Sequence, residues 1–187
     1  MLAEYKINLS PVADEDAKGA AREVIEKAKA TLGFVPNMYS TMANSPGYLG
    51  TYAYGYTAFR QNSGFSAQEQ ETVFLTLSRQ NGCDYCTAAH SMIADKVSKL
   101  EAGDVDAVRA GDALPTAKLN ELSDFTKHVH DTRGLIAKGE TEAFLAAGYS
   151  EQQILEVILA LSVKILSNYS NHIFHTEVDD AFASYKV

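Results

Sequence analysis

Residues 66–90 read SAQEQETVFLTLSRQNGCDYCTAAH, and their punctuation sets the architecture. Ser66 followed three positions later by Glu69 is a capping box, in which each side chain satisfies the other residue's free backbone N–H at a helix start. Gly82 stops that helix, because glycine accepts the left-handed backbone that ends helices. A second helix opens near Asp84. Two helices in tandem, joined by a turn that carries cysteine, point to an all-α chain.

The flanking sequence repeats the theme. A helix over Ala17–Thr31 places Ala21, Val24, Ile25 and Ala28 on one face, with Leu32 just beyond. The run Leu32-Gly33-Phe34-Val35-Pro36-Asn37 breaks it. Ser45-Pro46 gives an N-cap with proline at the first helical position, and Tyr48, Tyr52, Tyr56 and Phe59 then form one stripe. Thr116 caps a helix bearing Leu119, Leu122, Phe125 and Val129 on one side. Ser150 with Gln153 is a second capping box, opening a helix that is apolar nearly all round through Leu166 and is therefore expected to be buried. No segment alternates with period two. The expectation is a single all-α domain over residues 1–187, a helical bundle core (46–187) with an N-terminal helical arm (1–45).

Sliding the sequence on itself by 84 residues pairs Gly64 with Gly148, Ser66 with Ser150, Val73 with Val157, Leu77 with Leu161, Ser78 with Ser162 and Tyr85 with Tyr169. Chance gives about one identity in twenty, so the spacing predicts a diverged internal repeat, about 64–98 and 148–182, of a capped helix and a turn. The differences are as informative. In the second copy Glu71 becomes Leu155, Cys83 becomes Ser167, Cys86 becomes Ser170 and His90 becomes Phe174. Four polar groups suited to chemistry are lost together.

Bulk properties narrow the function. The net charge of −8 argues against nucleic acid as a partner, since phosphate binding wants clustered Lys and Arg. The longest apolar stretch, around Ile154–Leu166, is too short and too interrupted to span a bilayer, and no signal peptide is apparent. The expected location is the cytoplasm, where a lone C-x-x-C pair is more often redox-active or metal-binding than structural.

The spacing suits thiol chemistry. Cys83 falls near the N-cap of the second helix and Cys86 in its first turn, where free N–H groups and the helix dipole stabilise a thiolate. Three residues apart, the two can close a disulfide. His90 lies one turn beyond Cys86 on the same face, within reach directly or through one water. Glu71, on the preceding helix, can turn back to hydrogen-bond His90, fixing its tautomer and raising its basicity. Because Leu155 stands at the matching register of the second copy, Glu71→Gln is expected to leave thermal stability almost unchanged.

Competing readings remain at this level. The pair can be two buried small hydrophobes, Glu71 a solvated helix residue, and the tyrosine stripe ordinary core or subunit interface. A zinc site would need His172 and His175 to complete a ligand set; Cys83, Cys86 and His90 supply only three, and the expectation is a metal-free site.

The pattern Glu71-x11-Cys83-x-x-Cys86-x3-His90 resembles the active-site motif of the AhpD-like alkylhydroperoxidases, within the carboxymuconolactone decarboxylase superfamily. The wording Cys83-Asp-Tyr-Cys-Thr-Ala-Ala-His90, with Gly33-Phe-Val-Pro-Asn37 and Ala43-Asn-Ser-Pro46 upstream, is similar to its peroxidase-related branch. The resemblance implies an AhpD-like all-α fold with an internal repeat, commonly a homo-oligomer. It implies Cys86 as the peroxidatic cysteine, Cys83 as proton donor and resolving thiol, and His90 with Glu71 as proton relay. It further implies a hydroperoxide substrate, a dithiol reductant of the lipoyl type, and no cofactor beyond a redox-active Cys83–Cys86 disulfide. One departure stands out: the family's histidine between the cysteines is Tyr85 here, a possible accessory group that will not act as a base near neutral pH. Two other functions share the scaffold. One is a carboxymuconolactone decarboxylase-like enzyme, which has no need of the cysteine pair. The other is a non-catalytic redox-sensing oligomer module.

Overall fold

The computed structural model describes all 187 residues and is helical throughout, with no strand. In chain order the helices are α1 (Gly19–Leu32), α2 (Asn37–Met42), α3 (Pro46–Asn62), α4 (Ala67–Gln80), α5 (Asp84–Ile93), α6 (Ala102–Ala110), α7 (Ala117–Asp131), α8 (Lys138–Ala146) and α9 (Glu151–Phe174). A π-helical segment, Ala94–Ser98, extends α5, and a 3₁₀ turn, Asp180–Tyr185, closes the chain. No helix is long and apolar enough to cross a membrane.

The punctuation reads as the residues dictate. Both capping boxes form, Ser66 with Glu69 and Ser150 with Gln153. Gly64 and Gly148, which enter them, both adopt positive φ. Gly82, at φ 64°, ends the first of the two helices and leaves Cys83 as the N-cap residue of α5. Thr116 precedes α7, but its hydroxyl donates to Asp104 at 2.6 Å instead of capping the backbone.

α4 is the central element, packed against α5, α7 and α9 and buried along most of its length. The main core gathers Phe59, Phe74, Leu77, Phe125, Phe144 and Val163; a smaller cluster lies under α6. Residues 1–45 feed that main core directly, through Ala21 and Ile25 of α1 and Met38 and Met42 of α2. α3 crosses α9 closely at Gly55, where an added Cβ would lie 2.9 Å from Val163.

Two sequence expectations are corrected. The second repeat contains no turn: where Gly82 breaks α4 from α5, its counterpart Leu166 lies within the uninterrupted α9. Nor is α9 buried all round. Leu155, Ile158, Ile165, Tyr169 and Ile173 form an exposed stripe along one side, with Leu155 at 66% exposure. One chain has too few neighbours to cover a helix this apolar. The buried side of α9 is instead partly polar, carrying Lys164, Ser167, Asn168, Ser170 and Asn171.

Candidate active site

Cys83, Cys86, Glu71 and His90 are all buried and come together between α4, α5 and α9. Glu71 is 0% exposed. Its Oε2 lies 2.9 Å from His90 Nδ1, and its Oε1 is ion-paired with Arg60 of α3. A carboxylate at that distance requires Nδ1 to carry the imidazole proton, leaving Nε2 as the free base. Burial alone would raise the Glu71 carboxyl, but His90 and Arg60 together hold it below its usual range. His90 behaves differently from the sequence expectation. Burial, and then the Lys164 charge, lower its pKa, and they outweigh the opposing pull of Glu71. The ring is therefore a neutral base.

Both cysteines are free thiols. Asn171 Nδ2 approaches Cys86 Sγ at 3.3 Å and Cys83 Sγ at 3.8 Å, so an amide from α9 bridges the pair. The two thiols share one proton, and the direction of sharing is set by their surroundings. Cys83 is raised by its hydrogen bond to Cys86 and then by burial. Burial would also raise Cys86, but the Cys83 hydrogen bond, Lys164, His90 and Ser167 hold it well below the ordinary thiol value. Of the two, Cys86 is the thiol whose surroundings favour the thiolate, and Cys83 the one whose surroundings favour keeping the proton. No direct hydrogen bond joins His90 to Cys86; the two meet through the space that both residues border.

That space is a cavity of about 450 Å³ on the α1–α2–α3 side of α5. Cys86 and His90 stand in its wall and Cys83 does not. The rest is largely aromatic and aliphatic, with Phe34, Tyr39, Tyr52, Tyr56 and Phe182 prominent. Tyr52 stacks on Tyr56, and Tyr56 on Phe74, at centroid separations of 5.9 and 5.4 Å. Burial raises the phenols of Tyr39, Tyr52 and Tyr56, so these remain neutral hydroxyls. Arg60 donates to the Tyr56 hydroxyl at 2.8 Å and connects the tyrosine wall to the Glu71–His90 pair. The tyrosine stripe thus combines core packing with cavity lining. Leu32, half-exposed at the end of α1, borders the same cavity.

Tyr85 is placed away from the proton chemistry. Its hydroxyl donates to Asp179 Oδ2 at 2.5 Å, while Asp179 Oδ1 accepts the Asn37 N–H at 3.0 Å. The residue ties the C-terminal segment and α2 over α5, so the 3₁₀ turn and its Phe182 close one end of the cavity. His172 and His175 do not join the cysteines: His175 Nε2 bonds the Ala3 carbonyl at 2.7 Å. No group of three or more His, Cys, Asp or Glu side chains is arranged to hold a metal ion.

Sequence reasoning missed Arg60, Lys164, Ser167 and Asn171. For the last three a signal existed: polar residues spaced three and four apart on a helix otherwise rich in Leu, Ile and Val. The second repeat is therefore a partner to the site, placing Ser167, the counterpart of Cys83, against the Cys86 thiol.

The fold is AhpD-like. The chain superposes on an uncharacterized peroxidase-related protein with an alkylhydroperoxidase AhpD core, from Ralstonia eutropha JMP134, with a TM-score of 0.83, 20% identity and 96% of each chain covered. An uncharacterized peroxidase-related protein from Silicibacter sp. TM1040 gives a TM-score of 0.74 at 19% identity, covering 97% of this chain and 95% of that one. The debrominase Bmp8 gives 0.72 at 17% identity, with 96% of each chain covered; a Cys-to-Ala form of it is known in complex with 2,3,4-tribromopyrrole. At these identities the likeness is one of fold. No family model and no curated protein matches the sequence.

Proposed function

We propose that this chain is a thiol-dependent peroxidase acting on organic hydroperoxides, with Cys86 as the attacking residue. The observation that carries the reading is the placement of Cys86, the thiol holding the negative charge, in the wall of an aromatic cavity, with its proton-bearing partner Cys83 behind it. The thiolate attacks the distal peroxide oxygen and the O–O bond breaks. Sulfur is oxidised to sulfenic acid, and the departing alkoxide takes the proton held by Cys83, giving an alcohol. Cys83 thiolate then attacks the sulfenic sulfur. The S–S bond forms and hydroxide leaves as water, taking a proton that His90 Nε2 draws from solvent, with Glu71 orienting the ring. A dithiol of the lipoyl type reduces the disulfide by exchange and is itself oxidised to a disulfide. No further cofactor enters this cycle, and a reducing compartment such as the cytoplasm suits its reset.

A cavity of about 450 Å³ with aromatic walls favours an apolar organic group on the peroxide. The expected outcome is a kcat/KM for cumene hydroperoxide at least about tenfold above that for hydrogen peroxide, since burying the organic group contributes about 1.4 kcal/mol or more. Steady-state assays with a dithiol as reductant decide it; equal values, or no turnover of either, refute the reading.

The aromatic walls and the debrominase of like fold favour one second reading, reductive dehalogenation of an aromatic ring. There Cys86 takes the halogen, a proton replaces it on the ring, and Cys83 displaces halide to form the same disulfide. Halide release from bromopyrroles with no peroxide turnover selects this reading.

The exposed stripe on α9 suits a second copy of the chain, because Leu155, Ile158, Ile165 and Ile173 would otherwise face water. Sedimentation should find an oligomer that Ile165→Glu dissociates into monomers. A monomeric wild-type protein refutes self-association.

A further inference from the structure

Lys164, in the middle of α9, is 1% exposed, and its Nζ has no hydrogen-bond partner. An unpaired ammonium is among the most destabilising groups a core can hold. No carboxylate pairs with it. On α4, Glu71 is already shared between Arg60 and His90. Glu156 lies eight residues earlier on α9, about 12 Å along the axis. Asp179 is occupied by Tyr85 and Asn37. From α3 come Arg60, a second cation, and the neutral phenols of Tyr52 and Tyr56. α5 brings Cys83, Tyr85, Cys86 and His90, and α9 itself adds the partly buried His172 further on.

With Lys164 charged, this part of the core is one anion short. Arg60 and Lys164 are positive and Glu71 is negative, while His90 is kept neutral by burial. One more anion balances the set. Lys164 Nζ lies 5.6 Å from the centre of the Phe74 ring, which also packs beside Arg60 and His90. One turn further along α9 is Ser167, and two turns further is Asn171, whose amide touches both thiols. Lys164 does not line the cavity, so a bound substrate would not meet its charge.

We propose that Lys164 is the counter-ion of the Cys86 thiolate, an ammonium built in behind the thiol that keeps the sulfur anionic before any substrate arrives. The inference rests on Cys86 being the reactive thiol of the proposed function. The same positive charge disfavours protonation of His90, so one residue maintains both the nucleophile and the neutral base. It acts through Cys86 and His90, as a positioning residue.

The test is the pH dependence of Cys86 alkylation by iodoacetamide, located by mass spectrometry, in the wild type, Lys164→Met and Lys164→Gln. Both variants should move the midpoint up by a unit or more, slowing alkylation by about tenfold per unit at pH values below both midpoints, with rates converging at high pH. Lys164→Met should lower Tm, because it leaves the buried thiolate without its partner. It should raise Tm in a Cys86→Ser background, where Lys164 has lost its counter-ion. An unchanged midpoint, a parallel slowing at every pH, or an equal Tm change in both backgrounds overturns the inference. None of these readouts needs peroxide. A shifted thiol profile without hydroperoxide turnover would therefore retain the counter-ion and discard the proposed activity.

Discussion

Cys86→Ser is expected to lose hydroperoxide turnover to background, whereas Cys83→Ser should undergo one oxidation and stop there. The asymmetry follows from position. Cys86 borders the cavity and Cys83 does not, so only one sulfur meets a substrate. It follows also from the shared proton, which the surroundings place on Cys83. In Cys83→Ser the serine hydroxyl still donates a hydrogen bond to Cys86, so the thiolate persists and attacks. The sulfenic acid then has no second thiol to condense with and should be trapped by dimedone as a single adduct on Cys86. In Cys86→Ser the remaining thiol loses the influence of Cys86 but stays buried behind the cavity wall, which still disfavours its thiolate, and it should label slowly. Mass spectrometry of both variants after peroxide and dimedone gives the answer. An adduct forming rapidly on Cys83 in the Cys86→Ser protein would reverse the roles.

Glu71→Gln should cost about 2–4 kcal/mol of stability as well as slowing the thiol. This is a correction to the sequence reading. Leu155 is a poor guide to what the Glu71 position tolerates, because Leu155 is 66% exposed while Glu71 is 0% exposed and holds two partners. Removing one member of a buried ion pair costs about 3–5 kcal/mol; Arg60 keeps a partly exposed side chain (19%), which places the expectation toward the lower end. The amide cannot satisfy both neighbours. If its oxygen accepts from His90 Nδ1, its NH₂ meets the Arg60 guanidinium, donor against donor. If it turns over, the NH₂ faces His90, the proton moves to Nε2, and the free base is lost.

The pH dependence has a definite sign. His90 has a folded pKa below its ordinary 6.5, so the unfolded chain binds the proton first, and stability present above that value is lost as pH falls below it. Glu71 is depressed from 4.5, so its contribution is present above that value and lost as pH falls through the lower folded value. Thermal melts of the wild type should therefore fall on acidification in both ranges, and Glu71→Gln should flatten the lower one. A Tm for Glu71→Gln within a degree of the wild type would mean the ion pair contributes nothing net.

The local signals in the sequence were sufficient for α1, α3, α4, α5, α7 and α9, and not for the short helices α2, α6 and α8. Capping boxes at Ser66 and Ser150, Pro46 behind Ser45, and the stop at Gly82 are decided within a few residues, by which backbone groups lack partners and which residues supply them. Likewise, placing Cys83 and Cys86 at the start of α5 with His90 one turn on needed only helical periodicity and one glycine.

What the sequence alone did not determine was burial on a given side. The α9 pattern looked apolar all round, because Leu and Ile occupy the exposed stripe while the buried side carries Lys164, Ser167 and Asn171. Only the packing of α9 against α4 and α5 reveals that inversion, since a polar residue is inside or outside according to what faces it across 80 or more residues of chain. The same holds for Glu71, which reads as a surface carboxylate until Arg60 and His90 close around it. Periodicity fixed where each side chain points on its own helix; the tertiary structure decided which charges must neutralise one another, because that depends on distances between elements and on the exclusion of water between them.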